Sequence, residues 1–169
     1  MPPCSVKQVS SATSASCKDR TKGAVSIRDV ELQWPHMRVL VVEDFAPFLQ
    51  IIRSSLAEMP DVQVIGEVAD GLEAVQKAEL LEPDLVLLDI GLPTLNGIDA
   101  ARQIRRLAPA SKIIFLSQES DSDVVHEALK LGAWGFVAKT RTASDLPAAV
   151  DAFLEGRQFV SDGLSGENT

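Results

Sequence analysis

The chain has 169 residues, enough for one domain with a sizeable core, and its 46% hydrophobic and 24% charged content is the ordinary globular balance. No apolar run reaches the roughly 20 residues of a bilayer span, and no apolar leader marks the N-terminus for secretion. The formal net charge of −8 divides into +2 over residues 1–36 and −10 over the remainder, which argues against the globular part binding nucleic acid by itself, since a phosphate backbone must be met with positive charge.

Cys4 and Cys17 both precede the first strand and make neither a disulfide framework nor a metal cluster. A cytoplasmic protein that neither spans nor anchors in a membrane is the simple reading. Residues 1–36, rich in Ser, Lys and Thr, read as a disordered N-terminal extension. Within them only 25–32 has enough apolar residues for a short helix or strand. Met37 directly precedes the first strong strand and reads as the natural start.

From Arg38 the pattern alternates. Residues 39–42 form a β-branched apolar run of the kind that makes a buried parallel strand. A helix follows over 47–58, with Phe48, Ile51, Ile52 and Leu56 as its apolar stripe and Pro47 in its first turn. A second strand covers 62–68, and a second helix covers 70–81 with Leu72, Val75 and Ala78 on one face. The third strand, 85–88, ends at Asp89. A helix over 97–107 is stopped by Pro109, and a fourth strand covers 113–116. The helix over 121–131, with Val124, Ala128 and Leu131 as core stripe, is closed by Gly132. A short fifth strand covers 136–138, and a last helix over 144–155 is closed by Gly156.

Strands alternating with helices predict a doubly wound α/β fold, a parallel five-stranded sheet with helices on both faces and right-handed crossovers. Ligands of such sheets bind outside the carboxyl ends of the strands. Those ends are Glu43-Asp44, Asp89, Ser117 and Ala138-Lys139. Three facing carboxylates raise one another's pKa. A hard divalent cation such as Mg²⁺, which takes oxygen ligands, resolves that conflict. Lys139 adds a point charge suited to phosphate, and the Ser117 hydroxyl can donate to a phosphoryl oxygen. A carboxylate can itself act as nucleophile and become an aspartyl phosphate. These are the parts of metal-assisted phosphoryl transfer.

The segments V-L-V-V-E-D-F (39–45), L-V-L-L-D-I-G-L-P-T-L-N-G-I (85–98), I-I-F-L-S (113–117) and G-A-W-G-F-V-A-K (132–139) resemble the CheY-like receiver family of bacterial response regulators. The resemblance covers residues 37–160 and implies sheet order 2-1-3-4-5. It implies Asp89 as phosphoacceptor and Asp44 as direct Mg²⁺ ligand, with Glu43 acting through water and the Gly91 backbone carbonyl completing the metal site. It implies that Lys139 pairs with the phosphoryl group, that Ser117 hydrogen-bonds it, and that Phe136 is a switch aromatic following Ser117. Pro93 and Gly97 would shape the loop after Asp89. The expected partners are a sensor histidine kinase or phosphotransfer protein. An output protein or second copy would be met through the fourth helix, fifth strand and fifth helix, or through the first and fifth helices.

Two positions depart from the family. Gln118 follows Ser117 where a small residue is common, which bears on phosphoryl access and lifetime. Thr140 follows Lys139 where many relatives have a cis-proline. The segment A-A-V-D-A-F-L-E-G-R-Q-F-V-S (148–161) resembles the NarL/FixJ-type subgroup, whose members usually continue into a helix-turn-helix domain. Residues 161–169 read as a tail, so the chain is a stand-alone receiver or the receiver portion of a transcription regulator. A phosphorylation-independent interaction module is a further alternative. A Mg²⁺-dependent phosphohydrolase would usually need a general acid and a substrate cap, neither visible, and no G-x-G-x-x-G follows the first strand to bind a dinucleotide. His126 is assigned no role, and Trp134 is either packing or a neighbour of the switch face.

Overall fold

Runs of Val, Leu and Ile long enough for only one sheet layer alternate with amphipathic stretches, and each becomes the expected element. The computed structural model describes residues 36–118 and 121–163. The order is β1 (Met37–Val42), α1 (Ala46–Ala57), β2 (Val62–Val68), α2 (Gly71–Leu81), β3 (Leu85–Asp89), α3 (Gly97–Leu107), β4 (Lys112–Ser117), α4 (Ser122–Lys130), β5 (Gly135–Ala138), α5 (Thr142–Leu154) and β6 (Phe159–Val160). A single 3-10 turn, Lys139–Arg141, joins β5 to α5. The proposed extension, including 25–32, lies outside the described residues apart from His36.

Alternation along the strands divides the core into two layers. Leu40, Val42, Val86, Leu88, Phe115 and Phe136 face α2, α3 and α4. Val39, Val41, Leu87, Leu116 and Val137 face α1 and α5. The helix stripes are slightly rotated from expectation. Phe48, Ile52 and Leu56 are buried on α1, whereas Ile51 is exposed. On α2 the buried residues are Ala74, Val75 and Ala78, and Leu72 is exposed. On α4 Val125, not Val124, joins Ala128 in the core. Helix starts follow capping chemistry: the side chains of Asp70, Asn96 and Asp121 each accept a backbone N–H of the first turn.

The sheet has six strands, in the order β2-β1-β3-β4-β5-β6, all parallel. The expected five-strand order is therefore extended by one strand. Gly156, at φ +74°, ends α5 and turns the chain back. Phe159 and Val160 then pair with Gly135 and Phe136. A two-residue strand carries no detectable periodicity, so sequence pattern alone did not reveal it. Its physical role is to cover the edge that β5 would otherwise expose.

Ser161, the first residue of the expected tail, fastens this strand. It is fully buried, its N–H donates to the Phe136 carbonyl at 2.9 Å, and its hydroxyl oxygen accepts the Ala138 N–H at 3.1 Å. Asp145 of α5 closes the arrangement, hydrogen-bonded to Ser161 and Ser144 and paired with Arg141. Burial alone would raise its pKa, but those hydrogen bonds and the Arg141 charge outweigh it and hold the carboxyl below its ordinary 3.8. The native state thus resists protonating Asp145, so its contribution is present above pH 3.8 and is lost as pH falls through the lower native value. Asp145→Ala should cost about 1–2 kcal/mol at pH 7. In urea titrations that gap should narrow towards pH 3; a gap independent of pH would refute the assignment.

Candidate functional site

The carboxyl ends of β1, β3, β4 and β5 converge on one edge. Glu43 follows β1 directly, and its backbone N–H donates to the Val68 carbonyl at 3.0 Å, tying the end of β1 to the end of β2. Its side chain is fully buried, while the adjacent Asp44 is exposed. Asp89 is the last residue of β3 and is buried. Glu43, Asp44 and Asp89 can bring one carboxylate oxygen each within 4.8 Å of one another.

A lysine sits among them. Lys139, first residue of the 3-10 turn, places Nζ 2.7 Å from Glu43 Oε2 and 3.1 Å from Asp89 Oδ2, with its side chain only 9% exposed. The second oxygen of each acid is also engaged. Glu43 Oε1 accepts the Phe45 N–H at 3.0 Å, and Asp89 Oδ1 accepts the Gly91 N–H at 3.1 Å. Burial pushes the Glu43 carboxyl above its ordinary value of 4.5, with the Asp89 charge adding to the rise; the Lys139 and Phe45 contacts oppose it without cancelling it. One cation thus serves two buried acids, which leaves the cluster short of positive charge.

The other expected residues fall as follows. Ser117 ends β4, is buried, and lies opposite Ala138 in the ladder. Gln118 next to it is exposed. Phe136 is completely buried against Phe115, with ring centroids 6.3 Å apart, so its ring points into the core. Gly91 lies at the site: a Cβ there would stand 3.9 Å from Asp89 Oδ2. Thr140 is exposed, and the turn holding it is fixed by Thr142, whose hydroxyl donates to the Lys139 carbonyl at 3.1 Å. Trp134 lies away from this cluster, packed edge-on against Phe153 at 5.7 Å, with Lys112 Nζ 5.7 Å from its ring centroid. His126 is exposed on α4.

One neighbour went unrecognised in the sequence. The Phe48 ring lies under Lys139, with Nζ 4.6 Å from the ring centroid. Its only signal was its place four residues after Asp44 and three after the N-cap Phe45, where it read simply as core stripe.

The donor set suits a hard cation. The oxygens are carboxylates from two adjacent strand ends, one exposed and two buried, and their charge exceeds what Lys139 balances. Mg²⁺ prefers such oxygens and retains waters, which the exposed Asp44 side accommodates.

Comparison with known proteins agrees with this geometry. The family model for the response regulator receiver domain matches residues 39–151. The transcriptional regulatory protein LiaR of Bacillus subtilis is 33% identical over 131 residues, covering 78% of this chain and 62% of LiaR. The transcriptional regulatory protein PdtaR of Mycobacterium tuberculosis is 42% identical over 135 residues, again covering 62% of that protein. A protein-glutamate methylesterase/protein-glutamine glutaminase of Methanosarcina acetivorans is 39% identical over 115 residues, but the chain spans only 33% of its length. Among solved structures, the isolated receiver domain of RcsB from Salmonella enterica serovar Typhimurium, in the presence of phosphomimetic BeF3⁻, superposes with TM-score 0.73 at 28% identity. That match covers 77% of this chain and 96% of the RcsB domain. With the motif order, the sheet order and the strand-end cluster in agreement, the chain belongs to the response regulator receiver domain family of two-component signalling.

Proposed function

We propose that Asp89 accepts a phosphoryl group from a phosphohistidine of a sensor kinase or phosphotransfer protein, and that this shifts a partner-binding face. The observation that carries the reading is Lys139, a nearly buried cation held between Glu43 and Asp89 at the edge where parallel α/β sheets in general bind ligands. A carboxylate oxygen of Asp89 attacks phosphorus, the P–N bond of a phosphohistidine already protonated on its other ring nitrogen breaks with its electron pair going to nitrogen, and the histidine leaves as neutral imidazole. The Gly91 N–H orients the carboxylate by holding Oδ1. Lys139 then follows the charge from the carboxylate onto the phosphoryl oxygens. Glu43, Asp44 and Asp89, with the Gly91 carbonyl, would hold Mg²⁺, which neutralises the acids and the charge on the transferring group.

The Ser117 hydroxyl would donate to a phosphoryl oxygen, and Phe136, directly across the β4–β5 ladder from Phe115, would respond. The affected surface is α4–β5–α5 or the α1–α5 face, meeting an output protein or a second copy. A cytoplasmic setting goes with a kinase partner; among the described residues no helix is long and apolar enough to cross a membrane. The same chemistry serves the receiver portion of a transcription regulator, the helix-turn-helix kind included; that the chain is part of such a regulator accords with LiaR and PdtaR, which are named transcriptional regulatory proteins and extend beyond the matched region.

The test is intact mass after incubation with acetyl phosphate and Mg²⁺. One phosphoryl adduct, removed by alkali, is expected on the unaltered chain. It should be absent with chelator and absent in Asp89→Asn. An unmodified chain, or an equal adduct in Asp89→Asn, would overturn the proposal. Trp134 fluorescence, read in a Trp34→Phe background, should change with the adduct because its packing partner Phe153 lies on α5.

A further inference from the structure

We infer that Phe48 is a positioning residue for the phosphoryl-binding lysine: its ring face confines the Lys139 ammonium beside Asp89. The inference rests on the phosphoacceptor reading above.

The ammonium has three N–H donors. Two face carboxylates, Glu43 at 2.7 Å and Asp89 at 3.1 Å, and the Phe48 ring lies 4.6 Å away. That separation is within the range of a cation–π contact, which strengthens when the cation is desolvated, as this one is. The ring attracts the cation but offers it no lone pair. It holds Lys139 in the site without competing for the hydrogen bond that a phosphoryl oxygen must receive. A polar residue at the same place would compete.

The ring is itself fixed from two directions. Phe48 is third in α1, behind Pro47, and its N–H donates to the Phe45 carbonyl at 3.0 Å. It is buried in the α1–α5 layer of the core with Ile52 and Val137. Glu43 also holds the start of that helix through the Phe45 N–H. The acid that pairs with the lysine therefore also sets the helix that presents the ring. Without the aromatic face, Lys139 keeps its shorter contact to Glu43 and is free to swing away from Asp89.

The test compares Phe48→Leu and Phe48→Met, which keep an apolar side chain without a π face, with Phe48→Tyr, which keeps the face. Two quantities are read: the single-turnover rate of adduct formation with acetyl phosphate at saturating Mg²⁺, and the NMR shift of the Lys139 ε-methylene protons. Over a ring those protons are shifted upfield. Leu and Met should abolish that shift and slow adduct formation about tenfold, the equivalent of about 1.4 kcal/mol in barrier. Tyr should preserve both. A merely structural role for Phe48 would change the melting temperature in all three variants without separating Tyr from Leu and Met.

The two levels fail separately. An unaltered chain that forms no adduct sinks the phosphoacceptor reading, while the upfield shift still reports the confined lysine. Normal adduct formation in Phe48→Leu and Phe48→Met, or an unshifted methylene in the unaltered chain, sinks the role of Phe48 and leaves Asp89 untouched.

Discussion

Replacing Lys139 with Met will cost the fold about 3 kcal/mol at pH 7, the loss typical when one partner of a buried ion pair is removed. Methionine preserves most of the apolar stem, so the loss isolates the charge. What remains is Glu43, fully buried, facing Asp89, also buried, with Asp44 beside them and no cation. Glu43 already lies above its ordinary 4.5 through burial, and Lys139 is one of the contacts restraining it. Without the lysine it moves further up. A native pKa above the unfolded one means that the folded state binds the proton more tightly, so stability increases as pH falls through the raised value towards the ordinary 4.5. The variant's deficit should therefore be largest near neutrality and smaller near pH 5. Mg²⁺ should recover more stability in the variant than in the unaltered chain, since an ion that binds only the folded state stabilises it by mass action. Urea titrations with and without Mg²⁺ at both pH values measure this. A variant as stable as the parent at pH 7, or equally helped by Mg²⁺, would show that the acids are not electrostatically crowded.

Much of this site was legible in the sequence, and the reason is geometric. In a parallel sheet every strand delivers its last residue to one edge, so finding where an apolar run stops is enough to place a side chain. Asp89 after L-V-L-L and Lys139 after F-V-A could be assigned to a common edge from this rule alone. The parts that escaped depend on rotation and side-chain reach. Ile51 and Leu72 fall just outside the buried arc of their helices, by an angle that apolar spacing does not resolve. The Phe48–Lys139 contact joins residues far apart in sequence, and neither residue type announces it. β6 is two residues long, and what holds it is a buried serine and aspartate rather than an apolar pattern. The Glu43–Lys139 pair was hidden for a related reason: the sequence puts both at the edge but does not say that one takes the other.

Gly97→Ala should be about as damaging as losing the lysine, for steric reasons alone. Gly97 opens α3, and in a helix alanine is ordinarily preferred to glycine by about 1 kcal/mol. Here a Cβ would stand 2.2 Å from the Asp89 carbonyl oxygen and 2.7 Å from Ile90 Cα. Both obstacles are backbone, so neither can rotate aside. The Gly97 N–H also donates to the Ile90 carbonyl at 2.9 Å, closing the loop between Asp89 and α3. Relief requires that loop to open, and the loop includes Thr94 at φ +64° and Gly91, whose N–H holds Asp89. The clash outweighs the propensity gain, and a net loss of about 3 kcal/mol is expected from overpacking against rigid atoms. Adduct formation should fall as well, because the strained segment carries the phosphoacceptor. Gly156→Ala supplies the contrast. Glycine adopts its φ of +74° without strain and an alanine there would not, but nothing lies within 4 Å of the Cβ position. That variant should lose only about 1 kcal/mol and leave the phosphorylation rate unchanged. Urea unfolding and the acetyl phosphate assay on both variants measure the difference. If Gly97→Ala matched Gly156→Ala in both, the close approach of α3 to the Asp89 backbone would not govern the site.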